Sequence, residues 1–245
     1  MTVAKPPRAP DVVAGALRRR ILSGELSPGD SLPAENELVS QLGVSRETVR
    51  VALRLLDAEG LTETSQGRGG VRICHPEPER AARSLVQLLT LTGATWGDLL
   101  AFRKMLEPAA TALVAENASP EERAAIAEVA ARGITPDGHG YHEFHELVVR
   151  ASRNALLTTV LAAVEQAVRW AAAEQDITQY DREEAARSHR AIADAIAAAD
   201  PRKAEHRMRQ HLDAALRHVE TSGLASAPMI PPSRWRGENT DLPWR

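Results

Sequence analysis

The sequence predicts a mainly α-helical protein in two parts, an N-terminal winged helix-turn-helix and a C-terminal all-helical bundle. Three observations carry this. Aromatic residues are only 3% of the chain although 43% is hydrophobic, so the core must be built from Ala, Leu, Val and Ile, which favours packed helices over a β-sandwich. Capping residues and glycines recur at helix-length intervals. One stretch, 61–74, breaks that pattern with β-type residues around a glycine-rich turn. At 245 residues two domains are the natural expectation. The net charge of -3 hides no basic polyelectrolyte in either part, so any nucleic-acid contact must come from a local patch. The single cysteine, Cys74, excludes an intrachain disulfide and suits a reducing compartment. No apolar run approaches the ~20 residues that span a bilayer, and the first residues lack a signal peptide's apolar stretch. The expected address is the cytoplasm, with no membrane partner.

Residues 1–10, with three prolines, read as a flexible arm. A helix is expected from about Asp11 to Leu22, a second from near Pro33 to Gly43 with the proline in its first turn, and a third from a Ser45 cap to about Glu59. Two short strands follow within 61–74, completing a winged helix-turn-helix domain over 11–75. His75-Pro76-Glu77-Pro78-Glu79 reads as a stiff linker, placed at 76–79. Helices are then expected at about 79–92, 96–117, 120–132, 140–152, 154–174, 179–199 and 201–221, forming one domain over 80–223. Thr95, Ser119 and Asn154 stand at N-cap positions, and Gly93, Gly133 and Gly223 at helix ends. The tail, 224–245, reads as mobile, with Trp235 and Trp244 able to dock it.

In the third helix Thr48, Val49, Ala52, Leu53, Leu55 and Leu56 share one arc at 100° per residue. Arg46, Arg50 and Arg54 form a stripe on the adjacent arc. Alone, such a stripe is more often a solvated face. Here the helix opens with Ser45-Arg46-Glu47-Thr48, polar groups placed to meet base edges, and Arg68 sits on a wing tip whose Gly67 and Gly69 let backbone approach a groove. GRGG lacks the spacing and the following helix of a phosphate loop.

These residues are specific. Ile21-Leu22-Ser23-Gly24-Glu25-Leu26-Ser27-Pro28-Gly29-Asp30-Ser31-Leu32-Pro33-Ala34-Glu35, then Leu42-Gly43-Val44-Ser45-Arg46-Glu47-Thr48-Val49-Arg50, then Leu53, Leu56, Gly60 and Leu61 resemble a GntR-family transcriptional regulator over residues 11–74. The resemblance implies DNA contacts from Ser45, Arg46, Thr48, Arg50, Gly67 and Arg68. Asn36 stands where many relatives carry arginine; it can bond a phosphate but brings no charge.

Three histidines of the second domain lie on inward helix faces. His145 shares an arc with Val148, Val149 and Ser152, His189 with Ile192 and Ile196, and His211 with Ala204, Met208 and Ala215. Each alone is best read as a satisfied core histidine. Three together, in an interior poor in polar groups, fit equally a site for zinc or another borderline divalent ion. Arg103-Lys104-Met105-Leu106-Glu107-Pro108-Ala109-Ala110, Phe144-His145 with Ala151-Ser152-Arg153-Asn154, and His189-Arg190-Ala191-Ile192 with Ala195-Ile196, closed by Ala204, Met208 and His211-Leu212, resemble a FadR-type C-terminal domain of the FCD variant over about 80–220. The resemblance implies a helical bundle with a ligand cavity, and a divalent metal (zinc, with nickel or another ion as options) on His145, His189 and His211. It also implies an effector site with Arg103 offered to a carboxylate and Tyr141 and Asn154 beside it. The family's fourth ligand, an aspartate four residues before the histidine of Phe144-His145, is Tyr141 here, a poor zinc ligand. Water or effector fills the position, or His142 or Asp137 substitutes, or metal binding is weak or lost.

The expected function is a ligand-responsive, sequence-specific DNA-binding regulator, a repressor released by a small organic acid. Its expected partners are a palindromic double-stranded operator and a second copy of itself. Two rivals remain: a metal-dependent enzyme using the three histidines, and an architectural DNA-binding protein without effector. Against the enzyme, His142-Glu143-Phe144-His145 spaces its histidines by three rather than four and fails as H-E-x-x-H, no Glu-x-x-His pairs occur, and Cys74 lies outside the helical domain.

Overall fold

A computed structural model describes residues 8–64, 70–75, 78–135, 140–172 and 182–231. The chain divides into two compact units with the border between Ala81 and Ala82.

The first unit contains α1 (Ala9–Leu22), α2 (Glu35–Leu42), α3 (Arg46–Ala58), β1 (Thr62–Thr64) and β2 (Val71–Ile73). Helix α1 begins two residues earlier than expected, because Pro10 supplies a pre-set first turn, so the end of the supposed arm is helical. Helix α2 begins later: Ala34 is its N-cap and Pro33 lies outside it. The α2–α3 turn needs Gly43, whose φ of 62° is left-handed. Ser45 then caps α3 by accepting from the Thr48 N–H at 3.1 Å. The predicted arc is the buried one: Val49, Ala52, Leu53 and Leu56 pack with Val13, Ala14 and Leu17 of α1 and Leu38 of α2. Strands β1 and β2 pair antiparallel, Glu63 opposite Arg72. Leu32 N–H donates to the Val71 carbonyl (2.8 Å), and Ile73 N–H to that of Asp30 (2.8 Å), so the Pro28-Gly29 turn is stitched to the wing.

Helix α4 (Pro78–Thr92) crosses the border, and the second unit continues with α5 (Trp96–Asn117), α6 (Pro120–Arg132), α7 (Tyr141–Ala151), α8 (Ala155–Ala172), α9 (Arg182–Ala197) and α10 (Pro201–Thr221). Pro78 and Glu79, read as linker, belong to α4. Helices α5 and α6 start with reciprocal caps, Thr95 with Asp98 and Ser119 with Glu122. The main core joins Val114, Phe144, Val148, Ile192, Ile196, Met208 and Leu212 from α5, α7, α9 and α10, with Ile126 and Val129 of α6.

The tail departs from expectation. Residues 224–231 are not loose: Met229 and Ile230 are buried against Val86, Trp96, Leu99 and Val168. The N–H groups of Trp96 and Gly97, which α5 cannot satisfy internally, donate to the carbonyls of Ala227 (3.2 Å) and Ala225 (3.0 Å). The tryptophans proposed to dock the tail lie outside the described residues. No helix among them is long and apolar enough to cross a membrane.

Candidate DNA-reading face and metal-effector centre

On α3 the face opposite the buried arc is exposed and arginine-rich. Arg46 donates to Asn36 Oδ1 at 2.8 Å and lies 3.6 Å from Glu35. Arg50 donates to the same Glu35 at 3.0 Å, and Arg54 to Glu47 at 3.1 Å. The arginine side chains remain half or more exposed. Ser45 and Thr48 are 2.8 Å apart at their hydroxyls. Asn36, Ser45, Arg46, Thr48 and Arg50 thus come together at the junction of α2 and α3. Gly67 and Arg68 lie outside the described residues.

In the second unit His145 (α7), His189 (α9) and His211 (α10) converge, one ring nitrogen of each lying within 4.8 Å of the others, and all three are nearly inaccessible. Glu107 of α5 organises the group. Its Oε2 is 2.7 Å from His145 Nδ1, and its Oε1 accepts from Arg103 Nε at 2.5 Å. Burial pushes the Glu107 carboxyl upward, but Arg103 and His145 outweigh it and hold the pKa well below the carboxylate range. An ionised carboxylate only accepts, so His145 carries its proton on Nδ1 and turns the Nε2 lone pair inward, 3.2 Å from His211 Nε2. Two nitrogens bound to one tetrahedral zinc at about 2.0–2.1 Å stand roughly 3.3 Å apart. His189 Nε2 is buried without a hydrogen-bond partner among the described residues. An orphaned imidazole nitrogen, the spacing of the His145–His211 pair and an outer carboxylate that orients one ligand fit a divalent ion.

A Bacterial regulatory proteins, gntR family profile matches residues 10–71, and an FCD domain profile matches residues 98–214. The chain joins a GntR-family DNA-binding domain to an FCD domain. The chain is 28% identical over 165 residues to the Glc operon transcriptional activator of Escherichia coli, a match covering 63% of this chain and 65% of that one. The chain thus spans about two thirds of that relative's length. It is 29% identical over 232 residues to an uncharacterized HTH-type transcriptional regulator of Mycobacterium tuberculosis, covering 90% and 95% of the two chains. The solved structure of Streptococcus agalactiae GntR matches with a TM-score of 0.65 and 25% identity over 85% of this chain and 99% of that one.

Tyr141 and Arg103 join the three histidines. The Tyr141 ring centroid lies 5.0, 5.4 and 5.9 Å from those of His145, His189 and His211, so the phenol covers the triad. Burial raises its pKa, with Glu107 and Glu165 adding to the shift and Arg103 opposing it. Arg103 is buried 5.6 Å from the Tyr141 ring centre, and its Nη2 has no hydrogen-bond partner among the described residues. Asn154 is not brought to the centre: it is exposed, and its Oδ1 accepts from the Leu157 N–H at 3.1 Å as the cap of α8. The substitutes considered for Tyr141 fare differently. His142 donates from Nδ1 to the buried Glu165 of α8, and Asp137 lies outside the described residues.

Glu35, Glu107 and Glu165 were missed by the sequence reading. Glu107 had a signal, standing four residues after Arg103, the spacing of a helical ion pair. Glu165 had none beyond a lone acid on an apolar helix. Gly140 was undervalued too: its φ is 87°, and any Cβ there would overlap the Gly133 carbonyl. Glycine is therefore required where the chain turns back to begin α7 and aim Tyr141 and His145.

A pH dependence follows. Burial above all, then neighbouring positive charge, holds His189 and His211 well below the usual histidine pKa. In the unfolded chain both titrate near about 6.5. Above that pH neither state is protonated and the stability is fully present; as pH falls below it, only the unfolded state gains protons. Metal-free protein is expected to lose up to about 1.4 kcal/mol per pH unit for each histidine below pH ~6.5. Urea unfolding between pH 7.5 and 5 checks this, and a flat profile contradicts it.

Proposed function

We propose that this GntR-FCD regulator is a dimeric, sequence-specific DNA-binding repressor of the cytoplasm, released from a palindromic operator by a small carboxylate bound at its histidine centre. It is a regulator rather than an enzyme. The observation that carries this reading is the buried, partnerless Nη2 of Arg103 beside three converging histidines, in the same chain as an exposed arginine face on a helix-turn-helix. A buried guanidinium N–H without an acceptor is costly, and an effector carboxylate relieves that cost while its other oxygen atoms reach the ion. A divalent ion on His145, His189 and His211 would supply positive charge and a coordination position that Tyr141 does not fill as an aspartate would. The printed names of the relatives, an activator and a transcriptional regulator, support the regulatory role. One winged helix covers one half-site, so a palindrome about 34–36 Å between half-site centres requires two copies.

The test is a gel shift with genomic fragments, followed by titration of the operator found. Arg50→Ala is expected to weaken operator binding by about 1–3 kcal/mol with unfolding unchanged, since the side chain is exposed and pairs with Glu35 at the surface. Equal affinity at matched salt contradicts the assignment of α3. Addition of zinc and a carboxylate effector is expected to weaken the wild-type complex and leave Arg103→Met unresponsive.

A further inference from the structure

Helices α9 and α10 form a hairpin closed by the tight turn at 198–200, and a cleft of about 410 Å³ lies between residues far from that turn. Its lining repeats at helical spacing: 184, 187, 188 and 191 on α9, and 207, 210, 211, 214 and 217 on α10. Ala191 and Ala214 leave room by their smallness. Arg187, Arg207 and Arg217 bring three positive charges against the one negative charge of Glu184. Arg187 lies 3.7 Å from Glu183, one turn away on its own helix, and Arg207 donates to Gln210 at 3.2 Å. His211 belongs both to this lining and to the buried triad.

We infer that this cleft is a second small-molecule site, for a compact anion of two or more charges, either a short dicarboxylate or a phosphate. The volume is that of a small-ligand pocket. Forked guanidiniums from two helices match paired oxygens of either group, and an excess of positive charge in a concave site raises the local concentration of anions. The site differs from the inner centre in its cations, which come from the exposed sides of α9 and α10 rather than from Arg103, and the two meet at His211.

The test is calorimetry on full-length protein stripped of metal, titrated with succinate, inorganic phosphate and butyrate. Wild type is expected to bind succinate or phosphate, the better of the two naming the class, and to bind butyrate at least about tenfold more weakly. Arg207→Gln/Arg217→Gln is expected to lose about tenfold in affinity for the dianion, the sum of two partly screened charge pairs, and Arg207→Lys/Arg217→Lys to recover part of it. Arg209→Gln, which removes an exposed α10 cation outside the lining, is expected to bind as wild type does. Equal binding by the double glutamine variant, equal binding of butyrate, or no dianion bound at millimolar concentration overturns the site. Dianion binding lost in His189→Ala but kept in the double glutamine variant also overturns it, while supporting the inner centre as the receptor.

Discussion

Glu107→Gln is expected to destabilise the metal-free protein by about 3–5 kcal/mol, the range for breaking a buried ion pair from one side. Arg103 is only 3% exposed and Glu107 2%. Without the carboxylate the guanidinium keeps Glu165 as its remaining counter-charge, and His145 loses an ionised acceptor at Nδ1. The double variant Arg103→Met/Glu107→Gln is expected to recover much of the loss, because the uncompensated charge goes with the arginine. Urea unfolding of the two variants decides: a single variant within about 1 kcal/mol of wild type shows that solvent already reaches the pair.

Chelator-stripped wild type is expected to take up one zinc or nickel ion per chain, and His189→Ala to bind it more than about a hundredfold more weakly. Even the loss of an outer-sphere partner typically costs 10–100-fold, and Glu107→Gln is expected to fall in that lower range. Zinc at about a hundred times its Kd adds roughly 2.7 kcal/mol to folding stability, so thermal unfolding reports the same event independently. Tyr141→Asp is expected to tighten binding, since the side chain already lies over all three imidazoles and a carboxylate there adds an anionic ligand. Calorimetry with wild type, His189→Ala, Glu107→Gln and Tyr141→Asp settles the site. No uptake by wild type, or equal uptake by His189→Ala, makes the three histidines core residues.

The first unit was legible in the sequence because its information is local. The apolar arc of α3, the Ser45 cap and the left-handed Gly43 are set by neighbours within one or two turns. The histidines were legible for a related reason: each lies on the apolar stripe of its own helix, and such stripes converge when helices pack. The docking of 224–231 could not be read, because its partners Val86, Trp96 and Val168 lie far away along the chain and its own composition resembles a linker.

By itself the sequence determined the helices, their caps, the two-part division and the inward placement of His145, His189 and His211. All of these follow from periodicity and local hydrogen bonding. Only the tertiary structure decided which nitrogens meet, that Glu107 fixes His145 from another helix, and that Glu165 engages His142. It also decided that Arg103 is left with a partnerless N–H while Asn154 turns away to cap α8. Those outcomes depend on the packing of α5, α7, α8, α9 and α10 to within about an ångström, the scale on which a hydrogen bond is made or lost. No periodicity along one chain carries that distance.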